Sequence, residues 1–428
     1  MIPPIALILT LSNNSKYMTR IKILLFAVTI LILAASISSF VFFENDFLIR
    51  KWGIPMSTGG FLDARQMAMA AESYSQGYDP LVDNPVNPTG QRLNYPRIWH
   101  LLFAFGINQS HTNLIGSITV IIFFIGIGVF WFSRKFDNLT YCVLTIAALS
   151  PAAMLGVERA NIELVLFFIL SLALTINYYS SVSALYVFIF ASILKLYPVF
   201  GFVYLLKENK RKFWILFLPA LGIFILYVVL SLNDFMQVYH TTPKSVGSSF
   251  GINVWWMGLR HGRFFNLPLS DSFVLRLKVL SYTVAFLIFA VTLLIGIRRK
   301  DNKLLSEAQY IDAFRVGAAI YIGCFLLMNT HDYRLIFLFF TIPQIVAWLR
   351  DEEKGISLVS KITLAAMIFS LWSFFVMHFL GRKLTFAMEE FANWIMLAGL
   401  LYLFFCSLPA WFQKDLRRPF SSTRLSCD

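Results

Sequence analysis

The chain has 428 residues, of which 58% are hydrophobic and only 14% are charged. Soluble globular domains are about half apolar and about a quarter charged, so this composition excludes a soluble domain. Apolar runs close to the ~20 residues that cross a bilayer recur from end to end. The net charge of +13 falls largely in short loops between these runs, as the positive-inside rule predicts. The charge therefore indicates a polytopic membrane protein and not a nucleic-acid-binding one.

The start of the chain predicts a cytoplasmic N-terminus over residues 1–20. Arg20 and Lys22 lie at the beginning of the first apolar run, about 21–43, and such cations remain on the inner side of the membrane. Residues 1–17 either form a short leader or precede a true start at Met18. A cleaved signal peptide is not expected, because the apolar run continues as a full-length span. The segment 44–111 then becomes the first extracytoplasmic loop.

This loop contains the most polar long segment of the chain, from Gly59 to Trp99. Apolar residues recur in it at helical spacing, which predicts an amphipathic helix along the membrane surface. They are Ala64, Met67, Ala68, Ala71, Tyr74 and Tyr78. Gly77 ends this helix, and Asp63 lies in its first turn, where the helix dipole favours an anion. The run Ile98–Ile107 is too short to cross the membrane and is predicted to be an interfacial helix.

The rest of the chain predicts nine further spans and one irregular run. The spans are about 112–132, 139–156, 162–177, 213–231, 279–297, 315–328, 335–349, 362–379 and 391–412. The run 182–206 contains Lys195 and Pro198 and is followed by a cluster of cations. Two short helices broken near Lys195 keep those cations inside, since irregular backbone is tolerated where it lines a cavity. The prediction is an all-α bundle of ten full spans plus one broken or re-entrant pair, occupying 21–412, with a cytoplasmic tail over 413–428.

Several cations map to the outer side of the membrane, where topology does not explain them. They are Arg65, Arg92, Arg97, Arg159, Lys195, Arg260, Arg263 and Arg334. An unpaired charge within a span is unfavourable by roughly 2.5–3.5 kcal/mol at the helix centre, so such residues usually line a polar cavity. Together they predict an anionic ligand, with phosphate favoured beside a lipid. The alternative is that they reach lipid headgroups or pair with Glu158, Glu163 and Asp332.

Two polar groups are candidates for chemistry. Asp63 is the candidate base, with Glu72 as the competing carboxylate, and Asp79 and Asp83 are expected to be turn residues beside prolines. The sequence His331-Asp332-Tyr333-Arg334 places a histidine, which can bind phosphate or transfer a proton, at the mouth of a span. The same four residues could form an interfacial cap. The sequence has no metal-ligand spacing and no glycine-rich nucleotide loop, so no cofactor is expected.

The order of these motifs resembles a known family. Asp63 lies early in a long outer loop, followed by Gly77-Tyr78-Asp79-Pro80, Tyr95-Pro96, a short polar turn at Glu158–Asn161, Lys195-Leu196-Tyr197-Pro198 and His331–Arg334. This pattern is similar to the GT-C membrane glycosyltransferases that use polyprenyl-phosphate sugars, in particular the mannosyltransferase branch. It covers roughly residues 20–350. The chain departs from the family at Glu158-Arg159 and at Arg97, which leaves the donor sugar open.

The resemblance implies an enzyme of the cell envelope, a GT-C-like bundle in the bacterial cytoplasmic membrane with its active site outside. Asp63 would be the catalytic base. The substrate-binding residues would be Arg65, Tyr95, Arg97, Glu158, Arg159, Asn161, Lys195, Tyr197, His331, Asp332 and Arg334. A hexose, mannose first, would pass from a polyprenyl-phosphate donor to a lipid or glycan acceptor. Because a lipid phosphate leaves as a stable anion, one carboxylate suffices, which predicts inverting transfer without a metal.

Two other functions remain open. An envelope polysaccharide polymerase or ligase also has many spans and outer cations, but its large outer loop usually comes late in the chain. A lipid-linked sugar transporter or flippase would favour paired repeats and acidic residues inside spans. Glu163 is the one acidic residue near a span end that fits this second pattern.

Overall fold

The computed structural model describes residues 15–43, 50–55, 59–242, 247–262, 269–298, 309–327, 329–350 and 354–421. The candidate outer cation Arg263, residues 1–14 of the predicted N-terminal tail and residues 422–428 of the predicted C-terminal tail lie outside these ranges. Within them the chain is helical, apart from two-residue strands β1 Ser249–Phe250 and β2 Thr330–His331, which pair antiparallel. The all-helical fold class is therefore confirmed.

The chain builds sixteen α-helices and four 3₁₀ helices in the described ranges. The α-helices are α1 Ser15–Phe43, α2 Leu62–Ser75, α3 Thr112–Phe132, α4 Asn138–Ala148, α5 Pro151–Arg159, α6 Glu163–Ile176, α7 Ser181–Leu194, α8 Lys210–Leu230, α9 Leu232–Thr241, α10 Val254–Arg260, α11 Asp271–Arg298, α12 Ile311–Leu327, α13 Ile342–Trp348, α14 Lys354–Leu380, α15 Arg382–Cys406 and α16 Ala410–Ser421. The 3₁₀ helices are Arg97–Phe105, Gln109–His111, Tyr197–Lys207 and Asp332–Phe340.

Five helices in the described ranges are long and apolar enough to cross a membrane, or six if one bent pair is a single span. They are Gln109–Phe132, Lys210–Leu230, Asp271–Gly296, Gly355–Leu380 and Arg382–Cys406. The helices α8 and α11 expose most of their apolar side chains. Exposed apolar surfaces of this extent are found where lipid or another protein covers them. These helices are what a multi-pass membrane protein requires.

The prediction of ten full spans is wrong, because several apolar runs are not continuous helices. The run 139–156 is bent by 49° between α4 and α5, where Ser150 caps α5 and Pro151 cannot donate a backbone hydrogen bond. The helix α6 has 14 residues and is about 21 Å long, shorter than a ~30 Å hydrocarbon core. The run 335–349 is divided between a 3₁₀ helix and α13.

The irregular run is broken where the sequence predicts a break. The helix α7 ends at Leu194, Lys195 adopts an extended conformation, and the 3₁₀ helix Tyr197–Lys207 follows with Pro198 in its first turn. Pro198 has no backbone N–H with which to continue α7, whereas proline is tolerated in the first turn of a new helix. Lys195 therefore lies at a helix end, where its side chain can reach other segments.

The described part of the segment 44–111, which is predicted to be the first outer loop, contains both predicted helices. The helix α2 covers Leu62–Ser75, and the 3₁₀ helix Arg97–Phe105 lies where a short interfacial helix is predicted. The buried ring of Phe61 packs on Gly116 of α3 so closely that a Cβ atom at Gly116 would overlap it. Gly116 therefore sets how closely the start of α2 approaches the membrane bundle.

We expect Gly116→Ala to destabilise the protein by about 1–3 kcal/mol, because the added methyl group must displace the ring of Phe61. The matched control is Gly222→Ala in α8, where nothing lies within 4 Å of the new methyl group. The control should gain up to about 1 kcal/mol from helix propensity. Thermal unfolding in detergent measures both, and equal shifts in the two variants would contradict the close packing.

Candidate functional site

The candidate base lies where α2 is fixed to the end of α5. Phe61 has a left-handed backbone, with φ of 44°, and its N–H donates to the carbonyl of Glu158 at 2.8 Å. Gly59 and Gly60 before it also have positive φ, which glycine adopts without strain. The chain can therefore turn sharply into α2, and Asp63 follows in the first helical turn.

Asp63 is held by two residues from the short turn after α5. The Asn161 side-chain amide donates to Asp63 Oδ2, and Arg159 Nη1 lies 3.9 Å from Oδ1. The Asp63 side chain is only 11% exposed. Burial raises the pKa of Asp63 more than Arg159 and Asn161 lower it. The Asp63 carboxylate is thus a better proton acceptor than that of an ordinary surface aspartate, and Arg159 still stabilises its negative charge.

The orientation of Asn161 follows from a second hydrogen bond. Its Oδ1 accepts the backbone N–H of Glu163 at 2.9 Å, so its amide nitrogen must face Asp63. Ala160, with φ of 48°, reverses the chain between Arg159 and Asn161. Left-handed backbone is uncommon for alanine and is retained when the surroundings impose it. This turn places a cation and an amide donor on the same carboxylate.

Glu163, at the start of α6, forms the centre of a second group. Its Oε1 accepts hydrogen bonds from Lys195 Nζ and Arg334 Nε, each at 2.8 Å, and its Oε2 accepts from the Tyr197 hydroxyl. The Glu163 side chain is completely buried, whereas Lys195 is 18% exposed and Arg334 is 9% exposed. The carboxylate therefore holds two cations together from the side away from solvent.

The segment 59–111 contacts this second group through two aromatic residues. Trp99 Nε1 donates to the carbonyl of Leu194, the last residue of α7, at 3.0 Å. Lys195 Nζ lies 5.1 Å from the ring centre of Tyr95, within the range of a cation–π interaction. The loop that contains Asp63 is thus anchored at the helix break that presents Lys195.

His331 and Tyr333 lie beside the charged groups of the site. Their rings stack with centroids 5.2 Å apart, and β2 fixes His331 by pairing it with Ser249. Burial, together with the cations Arg159 and Arg334, lowers the pKa of His331 to about 4. The imidazole is therefore neutral at physiological pH and can accept or donate one hydrogen bond without adding charge.

The structure brings eight of the predicted site residues into one cluster. They are Asp63, Tyr95, Arg159, Asn161, Lys195, Tyr197, His331 and Arg334. The other four lie at its edge or elsewhere. Arg97 bridges Asp79 and Asp234 on the exposed surface, and Arg65 lies beside Gly59. Glu158 contributes its backbone carbonyl to Phe61, while Asp332 is buried and interacts with Glu389 and Glu390.

Two members of the cluster are missing from the predicted site. From the sequence, Glu163 is expected only to pair with a cation or to fit the transporter pattern, and Tyr333 is named only within the candidate interfacial cap. A carboxylate two residues after Asn161, at the same predicted membrane level as Lys195, is the signal that could have identified Glu163. Glu72, the competing carboxylate, lies two and a half turns beyond Asp63 and binds Gln109.

Comparison of the chain with protein-family models, with curated proteins and with solved structures gives no match. Within the described ranges, no group of three His, Cys, Asp or Glu side chains is arranged to hold a metal ion. The cluster contains the Asp63 carboxylate, which Asn161 and Arg159 hold. It also contains two cations, Lys195 and Arg334, that share the Glu163 carboxylate. Such a site can bind a phosphate and accept a proton.

We expect the His331 imidazole to remain neutral down to about pH 5, because burial and the two arginines lower its pKa to about 4. Carbon-13 histidine resonances, recorded in nanodiscs between pH 4 and pH 8, measure this, and the His331→Asn spectrum identifies the signal. A titration midpoint near the usual ~6.5 would show that the ring reaches water and that the arrangement of cations around it is wrong.

Proposed function

We propose that the protein is a membrane glycosyltransferase that moves a hexose, mannose first, from a polyprenyl-phosphate carrier to a lipid or glycan acceptor. The observation that supports this most directly is the pairing of a single candidate base with a cationic cluster. Asp63 is held by Asn161 and Arg159 and interacts electrostatically with Lys195, which shares the carboxylate of Glu163 with Arg334. In this proposal the site faces the extracytoplasmic side of the bacterial cytoplasmic membrane.

The cations would bind the phosphate of the donor. Arg159, Lys195 and Arg334 come from three separate segments and retain limited exposure of 25%, 18% and 9%. Charge-assisted hydrogen bonds from such groups are about twice as strong as neutral ones. Because the groups are already oriented, they would stabilise the negative charge that develops on the phosphate as it leaves.

Asp63 would act as the general base. An acceptor hydroxyl gives its proton to the Asp63 carboxylate while its oxygen forms a bond to the anomeric carbon. The bond from that carbon to the phosphate oxygen breaks, and its electron pair stays on the lipid phosphate. The attack occurs opposite the leaving group and inverts the anomeric centre. Since the leaving phosphate is a stable anion, the transfer needs no second carboxylate as acid, unlike a glycosidase.

One observation favours a second candidate function, the transport of a lipid-linked sugar. Glu389 and Glu390 are buried in the candidate span α15 and interact electrostatically with the buried Asp332. Ser373 donates to Glu389 at 2.7 Å, whereas the described residues donate no hydrogen bond to the carboxyl oxygens of Asp332. Ionisable groups buried inside membranes mark proton or ion pathways by default. A transporter coupled to protons would use this group and would not need Asp63 as a base.

We expect Asp63→Asn to lower the rate of sugar transfer by roughly 100- to 10,000-fold, the usual contribution of a general base. The assay uses purified protein, mannosyl polyprenyl phosphate and a membrane glycolipid extract, with a nucleotide-linked mannose as the alternative donor. Only the lipid-linked donor should react. Donor binding should persist in the variant, because the phosphate contacts remain.

The matched control is Glu72→Gln on the same helix, whose carboxylate binds Gln109 away from the cluster. It should retain wild-type transfer. If Asp63→Asn transfers sugar as fast as wild type, Asp63 is not the base. If the wild type moves the labelled donor lipid across sealed proteoliposomes without transferring sugar, the transport function replaces this proposal.

The pH dependence of transfer should report the raised pKa of Asp63. The base works only when ionised, so the rate is present above its pKa and is lost as the pH falls through it. Burial raises that pKa above 3.8, so the acid limb of the rate profile should lie at higher pH than for an ordinary aspartate. Arg159 lowers the same pKa, so Arg159→Gln should move the acid limb further upward. An unchanged limb in Arg159→Gln would exclude Asp63 as the titrating group.

A further inference from the structure

Glu163 lies behind the two cations that the proposed function assigns to the donor phosphate. It is completely buried and bonded on both oxygens, so it cannot serve as a base for a substrate hydroxyl. We propose that Glu163 is a specificity-determining residue that limits the site to one net positive charge, so that the site prefers a lipid phosphodiester to a lipid phosphomonoester. This inference rests on the proposed function.

The charge of the site follows from five groups. Arg159, Lys195 and Arg334 supply three positive charges, while Asp63 and Glu163 supply two negative ones, which leaves one positive charge. Asp63 interacts electrostatically with Arg159, Lys195 and Glu163, and Lys195 with Glu163, Arg334 and Asp63. His331 adds no charge, because its pKa is lowered to about 4. A sugar phosphodiester carries one negative charge and neutralises the site.

The charges of the site and of the bound phosphate also match directly after transfer. Asp63 has then accepted the proton of the acceptor hydroxyl, and the site has two positive charges. The product is a phosphomonoester, which carries close to two negative charges above its second pKa of about 6. When Asp63 loses its proton to water, the site returns to one positive charge and no longer matches the product. Deprotonation of the base would therefore favour product release and prepare the site for the next donor.

Without Glu163 this balance is lost. The variant Glu163→Gln keeps the size of the side chain but raises the charge of the site to two positive charges while Asp63 is ionised. A phosphomonoester would gain more from this change than a phosphodiester, since it carries the larger charge. We expect the affinity ratio to shift roughly 10- to 100-fold in favour of the phosphomonoester, the range for one unit charge a few Å away in a partly buried site.

The experiment measures binding, so it does not depend on knowing the acceptor. Calorimetry at pH 8, with the full chain in nanodiscs, compares geranyl phosphate with mannosyl geranyl phosphate. The wild type should prefer the phosphodiester, and Glu163→Gln should lose or reverse that preference. In a transfer assay Glu163→Gln should show stronger inhibition by geranyl phosphate. Glu163→Asp keeps the charge and should remain close to wild type in the affinity ratio.

A second background protects the test against loss of folding, because Glu163→Gln alone leaves two partly buried cations without the carboxylate that they share. In Lys195→Gln the site has no net charge, and in Lys195→Gln/Glu163→Gln it regains one positive charge. The affinity ratio should shift between these two variants by the same factor and in the same direction. Glu72→Gln, an outer carboxylate beside Gln109, should leave the ratio unchanged.

The outcomes separate the two proposals. If the wild type binds the phosphodiester but the ratio stays constant in both backgrounds, Glu163 serves only to hold its partners in place and this inference is wrong. If the wild type binds neither phosphate lipid, the proposed function fails and this inference fails with it. If the affinity ratio shifts in both backgrounds and Glu163→Asp stays close to wild type, the charge of Glu163 determines the preference for the phosphodiester.

Discussion

A carboxylate removed from water must be paired, and Glu163 is the residue at which this requirement shapes the site. The effective penalty for burying an ion is several kcal/mol, and it is offset only when the geometry is good and the remaining lone pairs are satisfied. Glu163 meets this condition with Lys195 and Tyr197 at the break after α7 and with Arg334 from the 3₁₀ helix Asp332–Phe340. The positions of α6, the break after α7 and the 3₁₀ helix Asp332–Phe340 are therefore linked through one side chain.

The broken helices follow from the same constraint. Irregular backbone inside a membrane protein must lie against protein or a polar cavity, because lipid cannot satisfy its hydrogen bonds. The end of α5 at Ala160 and the end of α7 at Lys195 both lie beside the charged cluster. Helix ends have backbone groups without intrahelical partners, and their side chains can reach neighbouring segments. The middle of a long helix such as α8 or α11 has neither property. The chain thus separates long helices with exposed apolar surfaces from short ones that build the site.

Local signals in the sequence predicted part of this arrangement. The helical spacing of apolar residues predicted α2 with Asp63 in its first turn, and Lys195 with Pro198 marked the break after α7. The number of spans was overestimated, since hydropathy detects apolar composition but not the bend at Pro151. The partner of a charged residue depends on tertiary packing. Arg97 and Asp332 therefore lie in the predicted segments but contact groups outside the cluster.

Besides the hydrogen bonds of the Phe61 N–H and of Asp63, contacts of unequal strength join the segment 59–111 to the rest of the protein. Phe61 packs in a close contact with Gly116, and Trp99 donates a buried hydrogen bond to Leu194. Arg97 instead reaches Asp79 and Asp234 on the exposed surface, where ion pairs contribute about 0–1 kcal/mol and are screened by salt. The contact with Asp234 in α9 is therefore the one that high salt weakens first, whereas the buried contacts of Phe61 and Trp99 are insensitive to it.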